Sequence, residues 1–296
     1  MAPMNPSQIN NRAGGTLCVA LETTLLAHGV PSETALPLAR KLDEIVRAEG
    51  AEPAVIGVHA GTPTAGMTAD ELQALLDSHD VPKVNTANLG LIMQSGRHGA
   101  TTVSTTMEIA AGAGIRVFAT GGIGGVHREY GTRLDVSADL TALSRFPVAV
   151  VTSGVKSLLD VVSTREALET LGVPVVGYRT DAFPAFYIRE SVAGVDARID
   201  DPETLARFVR FELDRTGRGI IIANPVPEAD EIPEERFAMW LNRALGEARE
   251  QGVAGRDVTP FALARLHELS GGETLRSNLA LVKSNAALAA QIASRL

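Results

Sequence analysis

The chain has 296 residues, 45% hydrophobic and 21% charged, which excludes a disordered polypeptide and supplies enough apolar side chains for a sizeable core. A net charge of −8, from 27 basic and 35 acidic residues, argues against a surface that coats nucleic acid, but leaves a small anionic substrate open, because local donors rather than net charge hold a phosphate. The single cysteine, Cys18, excludes an internal disulfide and a cysteine-only metal site, and suits a reducing cytoplasm.

In chain order, residues 1–15 read as a flexible tail. They are polar, carry Pro3, Pro6, Asn10, Asn11 and Gly14-Gly15, and lack the apolar core of a signal peptide. Short apolar runs then alternate with segments of helical period. Strands are predicted at Thr16–Leu21, Pro53–His59, Ile115–Ala119, Val148–Thr152, Val173–Gly177 and Gly219–Ala223. Helices are predicted at Glu33–Ala48, Thr68–Leu76, Thr105–Ala113, Val155–Val161 and Pro202–Arg215. The strand runs are nearly continuously apolar, as expected when both faces are covered, and the alternation predicts right-handed crossovers and a parallel sheet. Glu234–Gln251, Pro260–Leu269 and Glu273–Arg295 all predict helix. The expected fold is α/β, with a largely parallel central sheet flanked by helices and a helical C-terminal layer, forming one domain over residues 16–296. No run reaches the roughly 18 to 20 apolar residues of a membrane helix, so no membrane association is expected.

In parallel sheets ligands collect beyond the carboxyl ends of strands. Glu22-Thr23-Thr24, Thr120-Gly121-Gly122-Ile123-Gly124-Gly125-Val126-His127-Arg128, Ser153-Gly154-Val155-Lys156 and Asn224-Pro225 all follow predicted strands. The four glycines permit the positive φ angles of a phosphate cradle, or simply form a tight turn; the spacing fits neither a dinucleotide fingerprint nor a P-loop. His127 and Arg128 place donors beside them. Lys156, read as opening a helix in apolar surroundings, is a candidate nucleophile whose charged form is disfavoured; a surface lysine flanking a helix is the alternative. Asp135 and Asp139, four apart, share one helical face and hold a water-rich divalent ion, or else belong to a solvated, capped turn. Glu22, at the end of a buried strand, reads as a general acid with a raised pKa or as an ordinary ion-pair partner. Asn278 and Asn285 contact a heterocyclic base or cap a neighbouring loop.

The blocks Thr120 to His127, Asp135-Val136-Ser137-Ala138-Asp139-Leu140 and Gly154-Val155-Lys156-Ser157 closely resemble those of the pseudouridine-5′-phosphate glycosidase family (the indigoidine-synthase-A-like family). So do Ala20-Leu21-Glu22-Thr23-Thr24, Ala27-His28-Gly29, Gly99-Ala100-Thr101-Thr102, Gly114 to Phe118, Thr259-Pro260-Phe261 and Gly271 to Asn285, in order over about residues 16 to 290. The resemblance implies reversible cleavage of the C–C glycosidic bond of pseudouridine 5′-phosphate to uracil and ribose 5-phosphate, with Mn²⁺ and a homotrimeric assembly. It implies that Lys156 bonds covalently to C1′ of the opened sugar and that Glu22 donates the proton. Asp135 matches the metal ligand, bound mostly through water, and Asp139 a group that assists proton transfer. Thr120, Gly121, His127, Ser137, Ala138 and Asp139 match phosphate and sugar contacts; Lys83, Val103 and Asn278 match further substrate contacts, Lys83 and Asn278 at the base.

One segment departs from that family. Lys83 is followed by Val84-Asn85-Thr86-Ala87-Asn88 where a Ser-Arg-Arg-Asp-like sequence is usual, which leaves the base open. A paralogue acting on another aromatic C-nucleotide, or running as a C-glycosynthase, is the alternative enzyme. A non-catalytic sugar-phosphate binding protein and a lysine-dependent aldolase that needs no nucleobase are readings from other classes.

Overall fold

Runs such as Cys18-Val19-Ala20-Leu21-Glu22 and Ile220-Ile221-Ile222-Ala223 have no polar face to turn to water, and every residue in both is buried. The computed structural model describes residues 4–128, 131, 134–253 and 258–296. Its strands are β1 (Asn10–Asn11), β2 (Cys18–Glu22), β3 (Glu52–His59), β4 (Thr62–Ala65), β5 (Lys83–Val84), β6 (Ala100–Thr101), β7 (Val117–Ala119), β8 (Val126–His127), β9 (Ala149–Thr152), β10 (Leu159–Asp160), β11 (Val175–Tyr178), β12 (Ala197–Ile199) and β13 (Ile220–Ala223). Its helices are α1 (Thr23–His28), α2 (Ser32–Ala48), α3 (Ala69–Leu76), α4 (Leu89–Ser95), α5 (Val103–Gly112), α6 (Ala138–Leu143), α7 (Val161–Thr170), α8 (Pro202–Thr216), α9 (Glu234–Glu250), α10 (Val258–Leu269) and α11 (Glu273–Ala293).

Among the described residues, nine strands form one sheet in the order β1-β4-β3-β2-β7-β9-β13-β11-β12. Neighbours from β3 through β12 are parallel, and β4 turns back antiparallel on β3. Successive side chains on a strand point to opposite faces, and the core divides accordingly. Val19, Leu21, Val117, Ala119, Val151 and Ile222 face Leu38, Leu42, Val209, Leu281 and Leu288 on one side. Ala20, Phe118, Val150 and Ile221 face Met107, Ile109, Leu140 and Leu168 on the other. The layer expected at the C-terminus is present as α9, α10 and α11, and α11 packs on the sheet against β2, β7 and β9. Among the described residues no helix is long and apolar enough to cross a membrane.

Three sequence expectations about backbone path and secondary structure are corrected. The tail is docked from residue 4: Ile9 is buried, β1 pairs in parallel with β4, and Arg12 reaches Glu71 on α3 with paired contacts of 2.5 and 2.7 Å. An edge strand of two asparagines carries no apolar pattern, so only its pairing reveals it. The helix expected over Val155–Val161 is absent. Val155 pairs with Ile123, and the Lys156 amide donates to the Ile123 carbonyl at 3.1 Å, so these groups bind the glycine loop rather than a helical turn. Helix α7 starts only at Val161, where the Asp160 side chain accepts from the Ser163 amide at 2.9 Å. Asp135 and Asp139 do not share a helix either. Ser137 caps α6 by accepting from the Asp139 amide at 3.2 Å, and Asp135 lies before the cap, its carbonyl bonded to the His127 amide.

Candidate active site

The end of β2 turns directly into α1, which places Glu22 at the mouth of the sheet while keeping it buried. Burial pushes its carboxyl pKa up; the charge of Lys156, the hydroxyl of Thr120 and the charge of Lys83 oppose that shift, whereas Asp139 adds to it. Thr120, just past β7, donates its hydroxyl to Glu22 Oε1. Lys83, on β5, has its pKa lowered by desolvation first and then by the Lys156 charge, with Glu22 acting in the opposite sense. Glu22, Lys83, Thr120, Asp139 and Lys156, drawn from five parts of the chain, therefore form one electrostatic group.

Lys156 is half-buried in the loop between β9 and β10. That loop is laced to the glycine segment: Leu159 pairs with His127 and Asp160 with Val126 across β10 and β8, and Arg128 donates to the carbonyls of Ser157 and Leu159 at 3.1 and 3.3 Å. Arg128 thus braces the lysine loop. Gly154 has φ of +81°, and a Cβ there would sit 1.8 Å from the Pro184 carbonyl oxygen, so only glycine allows this approach to Lys156.

None of Gly121, Gly122, Gly124 and Gly125 has positive φ, so of the two sequence alternatives the positive-φ cradle is not what they form. They are needed for close approach instead. A Cβ would meet Phe186 at 2.5 Å from Gly122, Ser137 Oγ at 2.2 Å from Gly124, and Thr164 Oγ1 at 2.2 Å from Gly125. Asp139 is buried, and its two oxygens accept from the amides of Ser104 at 2.9 Å and Gly124 at 2.8 Å. It clamps the glycine loop to the first turn of α5, where Val103 is buried. Ala138 opens α6 beside it.

Asp135 lies at the rim, its side chain half exposed, with His127 Nε2 at 3.8 Å. Among the described residues no three His, Cys, Asp or Glu side chains gather closely enough to enclose a metal ion. The donor set fits only an ion that keeps most of its water, as hard divalent cations do, and does not fit a closed tetrahedral site.

Asn278 is buried and its Nδ2 donates to the Gly29 carbonyl at the end of α1 at 3.3 Å, while its Oδ1 has no partner. Asn285 bonds strand ends rather than facing outward, the loop-capping alternative of the two. In the atypical segment after Lys83, Asn88 donates to the Lys83 carbonyl at 3.0 Å and accepts from the Asn85 amide at 2.8 Å, and Asn85 accepts from the Ala87 amide at 2.9 Å. These amides hold the backbone that carries Lys83. Sequence reasoning assigned no role to Thr23 and Thr101, which both donate to the Ile56 carbonyl and tie the start of α1, next to Glu22, to β3 and β6. Their signal was the paired threonines of Thr23-Thr24 and Thr101-Thr102. Phe186 and Thr164, against Gly122 and Gly125, gave no signal at all.

The indigoidine synthase A like protein family model matches residues 10–295. A pseudouridine-5′-phosphate glycosidase of Methylobacterium nodulans is 51% identical over 284 residues, covering 95% of this chain and 84% of that protein. One of Deinococcus radiodurans is 48% identical over 282 residues, covering 95% and 90%. An indigoidine synthase A-like protein from Thermotoga maritima has the same fold, with a TM-score of 0.87 at 40% identity over 97% of this chain and 96% of that one. The prealnumycin C-glycosynthase AlnA, solved with ribulose 5-phosphate, has a TM-score of 0.87 at 36% identity over 94% of this chain and 91% of that one. With nearly its whole length matched in sequence and in fold, the chain belongs to the indigoidine synthase A-like family.

Proposed function

We propose that this protein cleaves pseudouridine 5′-phosphate reversibly to uracil and ribose 5-phosphate, with Lys156 as nucleophile and Glu22 as proton donor. The observation that carries the reading is a buried carboxyl with a raised pKa placed within the electrostatic reach of two lysines. The glycosidase relatives support the substrate, and the phosphosugar complex of the C-glycosynthase supports a ribose 5-phosphate end.

Carbon is a poor leaving group, so the bond between C1′ and uracil C5 needs activation at both ends. The Lys156 amine bonds to C1′ as the C1′–O4′ bond opens and O4′ takes up a proton. Glu22 then protonates C5 through the electrons of the C5–C6 double bond. The nitrogen lone pair forms the C1′=N bond while the C1′–C5 pair returns to the ring, releasing uracil. Water hydrolyses the imine, freeing the amine and ribose 5-phosphate. The amides and side chains around Gly121 to His127, with Ser137 and Ala138, hold the phosphate and sugar so that C1′ lies between acid and amine. Lys83, Val103 and Asn278 flank the base end, and Asp139 keeps the glycine loop in place and supports proton transfer. Asp135, with His127 near it, would hold one Mn²⁺ through its water shell, and the ion would supply positive charge for anionic or hydroxyl oxygens. The family resemblance supports a homotrimer, and the single buried cysteine a reducing cytoplasm.

The test is condensation of ribose 5-phosphate with a panel of bases in the presence of Mn²⁺. Pseudouridine 5′-phosphate is the expected product with uracil. Borohydride treatment with ribose 5-phosphate adds a pentose-phosphate mass to Lys156, and Lys156→Ala abolishes it; an unmodified wild-type protein removes the covalent step. Reaction only with other aromatic bases would favour the C-glycosynthase reading, which the similarity to AlnA supports.

A further inference from the structure

Three strand ends meet on one side chain of the terminal helix. Asn285 is fully buried. Its Nδ2 donates to the Thr120 carbonyl at 2.8 Å and to Ser153 Oγ at 3.2 Å, and its Oδ1 accepts from Asn224 Nδ2 at 2.9 Å. The Ser153 hydroxyl donates onward to the Asn224 carbonyl at 2.9 Å. These partners directly follow β7, β9 and β13, which are neighbours in the sheet. Both amide hydrogens and the amide oxygen are matched, so the amide has one workable orientation: turned over, its oxygen would face the Thr120 carbonyl.

Two of the three ends lead directly to the reacting groups. Thr120, held by its carbonyl, gives its hydroxyl to Glu22. Ser153 is followed by Gly154, wedged against Pro184, and then by the loop of Lys156. We infer that Asn285 is a positioning residue that sets the separation of the Glu22 carboxyl and the Lys156 amine by joining the ends of β7 and β9. The inference rests on the acid and nucleophile roles proposed above. Among the described residues, the charged groups that act on Glu22 are Lys156 from the loop after β9, Asp139 from α6 and Lys83 from β5. Asn285 acts on Glu22 through Thr120, whose hydroxyl favours the ionised carboxylate.

Asn285→Leu and Asn285→Asp remove the two donors at nearly constant volume. Cleavage of pseudouridine 5′-phosphate is expected to show kcat lowered roughly 10- to 100-fold with KM changed by less than about twofold. The alkaline limb of the kcat–pH profile moves to higher pH, as it does in Thr120→Val, and the double variant Asn285→Leu/Thr120→Val moves it no further. A lowered melting temperature with kcat and the limb unchanged in the folded protein overturns the inference. Should both variants fail to fold, Asn224→Ala, which removes the donor to the Asn285 oxygen together with a bond to Ser284 Oγ and leaves both Asn285 donors in place, is read the same way: kcat lowered by about threefold or more supports it, and an unchanged kcat overturns it. If the wild-type protein does not cleave the substrate, the proposed function fails. The Glu22 carboxyl is then titrated by ¹³C NMR, assigned with Glu22→Gln. A higher midpoint in Asn285→Leu supports the positioning role, and an identical one overturns it.

Discussion

Glu22 and Asp139 are both buried carboxylates, yet their surroundings differ in kind. Glu22 receives one hydroxyl, from Thr120, and its pKa is raised by burial, so it retains its proton to higher pH than an ordinary glutamate. A group of this type acts as an acid until the pH passes its raised pKa, so activity is expected to fall on the alkaline side, seen in a pH–rate profile. Glu22→Gln removes the transferable proton while keeping the shape. The expected outcome is a loss of about 10²- to 10⁴-fold in kcat, with a melting temperature equal to or above that of the wild type because a buried carboxyl is gone. Asp139 instead accepts from two backbone amides. Asp139→Ala leaves both donors without a partner, and with hydrogen bonds to charged groups worth about 1.5–3 kcal/mol each, chemical denaturation should show a loss of several kcal/mol. A variant as stable as the wild type would refute the clamp.

At the scale of the element, the glycine loop and the N-terminal strand show how local sequence depends on distant partners. Gly124→Ala and Gly125→Ala press a methyl group onto Ser137 and Thr164, an overpacking expected to cost about 1–3 kcal/mol. Gly90, inside α4, has open space around it, so Gly90→Ala should stabilise by roughly 0.5–1 kcal/mol through helix propensity. Denaturant titration of the three variants separates close approach from mere flexibility. The edge strand β1 carries its own pH dependence. The Glu71 carboxyl is lowered from 4.5 to about 2, by the Arg12 guanidinium first, against the effect of burial, with the Thr68 amide and His59 acting in the same direction as Arg12. Because the folded-state pKa is depressed, this contact stabilises above the ordinary carboxylate range and is lost as pH falls from about 4.5 towards about 2. Protection factors of residues 9–12, taken relative to intrinsic exchange at each pH, are expected to fall over that window in the wild type and to be already low throughout it in Glu71→Gln.

For the whole molecule, α11 is the element on which both core and site depend. It lies against β2, β7 and β9, with Leu281, Val282 and Ala286 in the core and Asn285 between them on the strand ends. Leu281→Ala is expected to destabilise by about 2–5 kcal/mol in a thermal or denaturant melt, and to reduce activity only in proportion to unfolded protein. Asn285 variants, by contrast, are expected to change kcat in protein that remains folded. The difference separates packing from positioning along one helix.

The six central strands and most of the helices were legible in the chain, because continuous apolar runs and helical periodicity are local properties. The motif blocks also pointed to Glu22, Thr120, Asp139 and Lys156, which the fold brings together. The adjacency of β2, β7 and β9 was not legible, since strand order is decided by long-range pairing. That order alone brings residues 22, 120 and 156 to one mouth. The same physics turned the expected helix at Lys156 into a loop: Ile123, far off in sequence, took up the backbone groups that a helical turn would have used. Composition and pattern chose the architecture, and contacts across the sheet chose where each reactive group points.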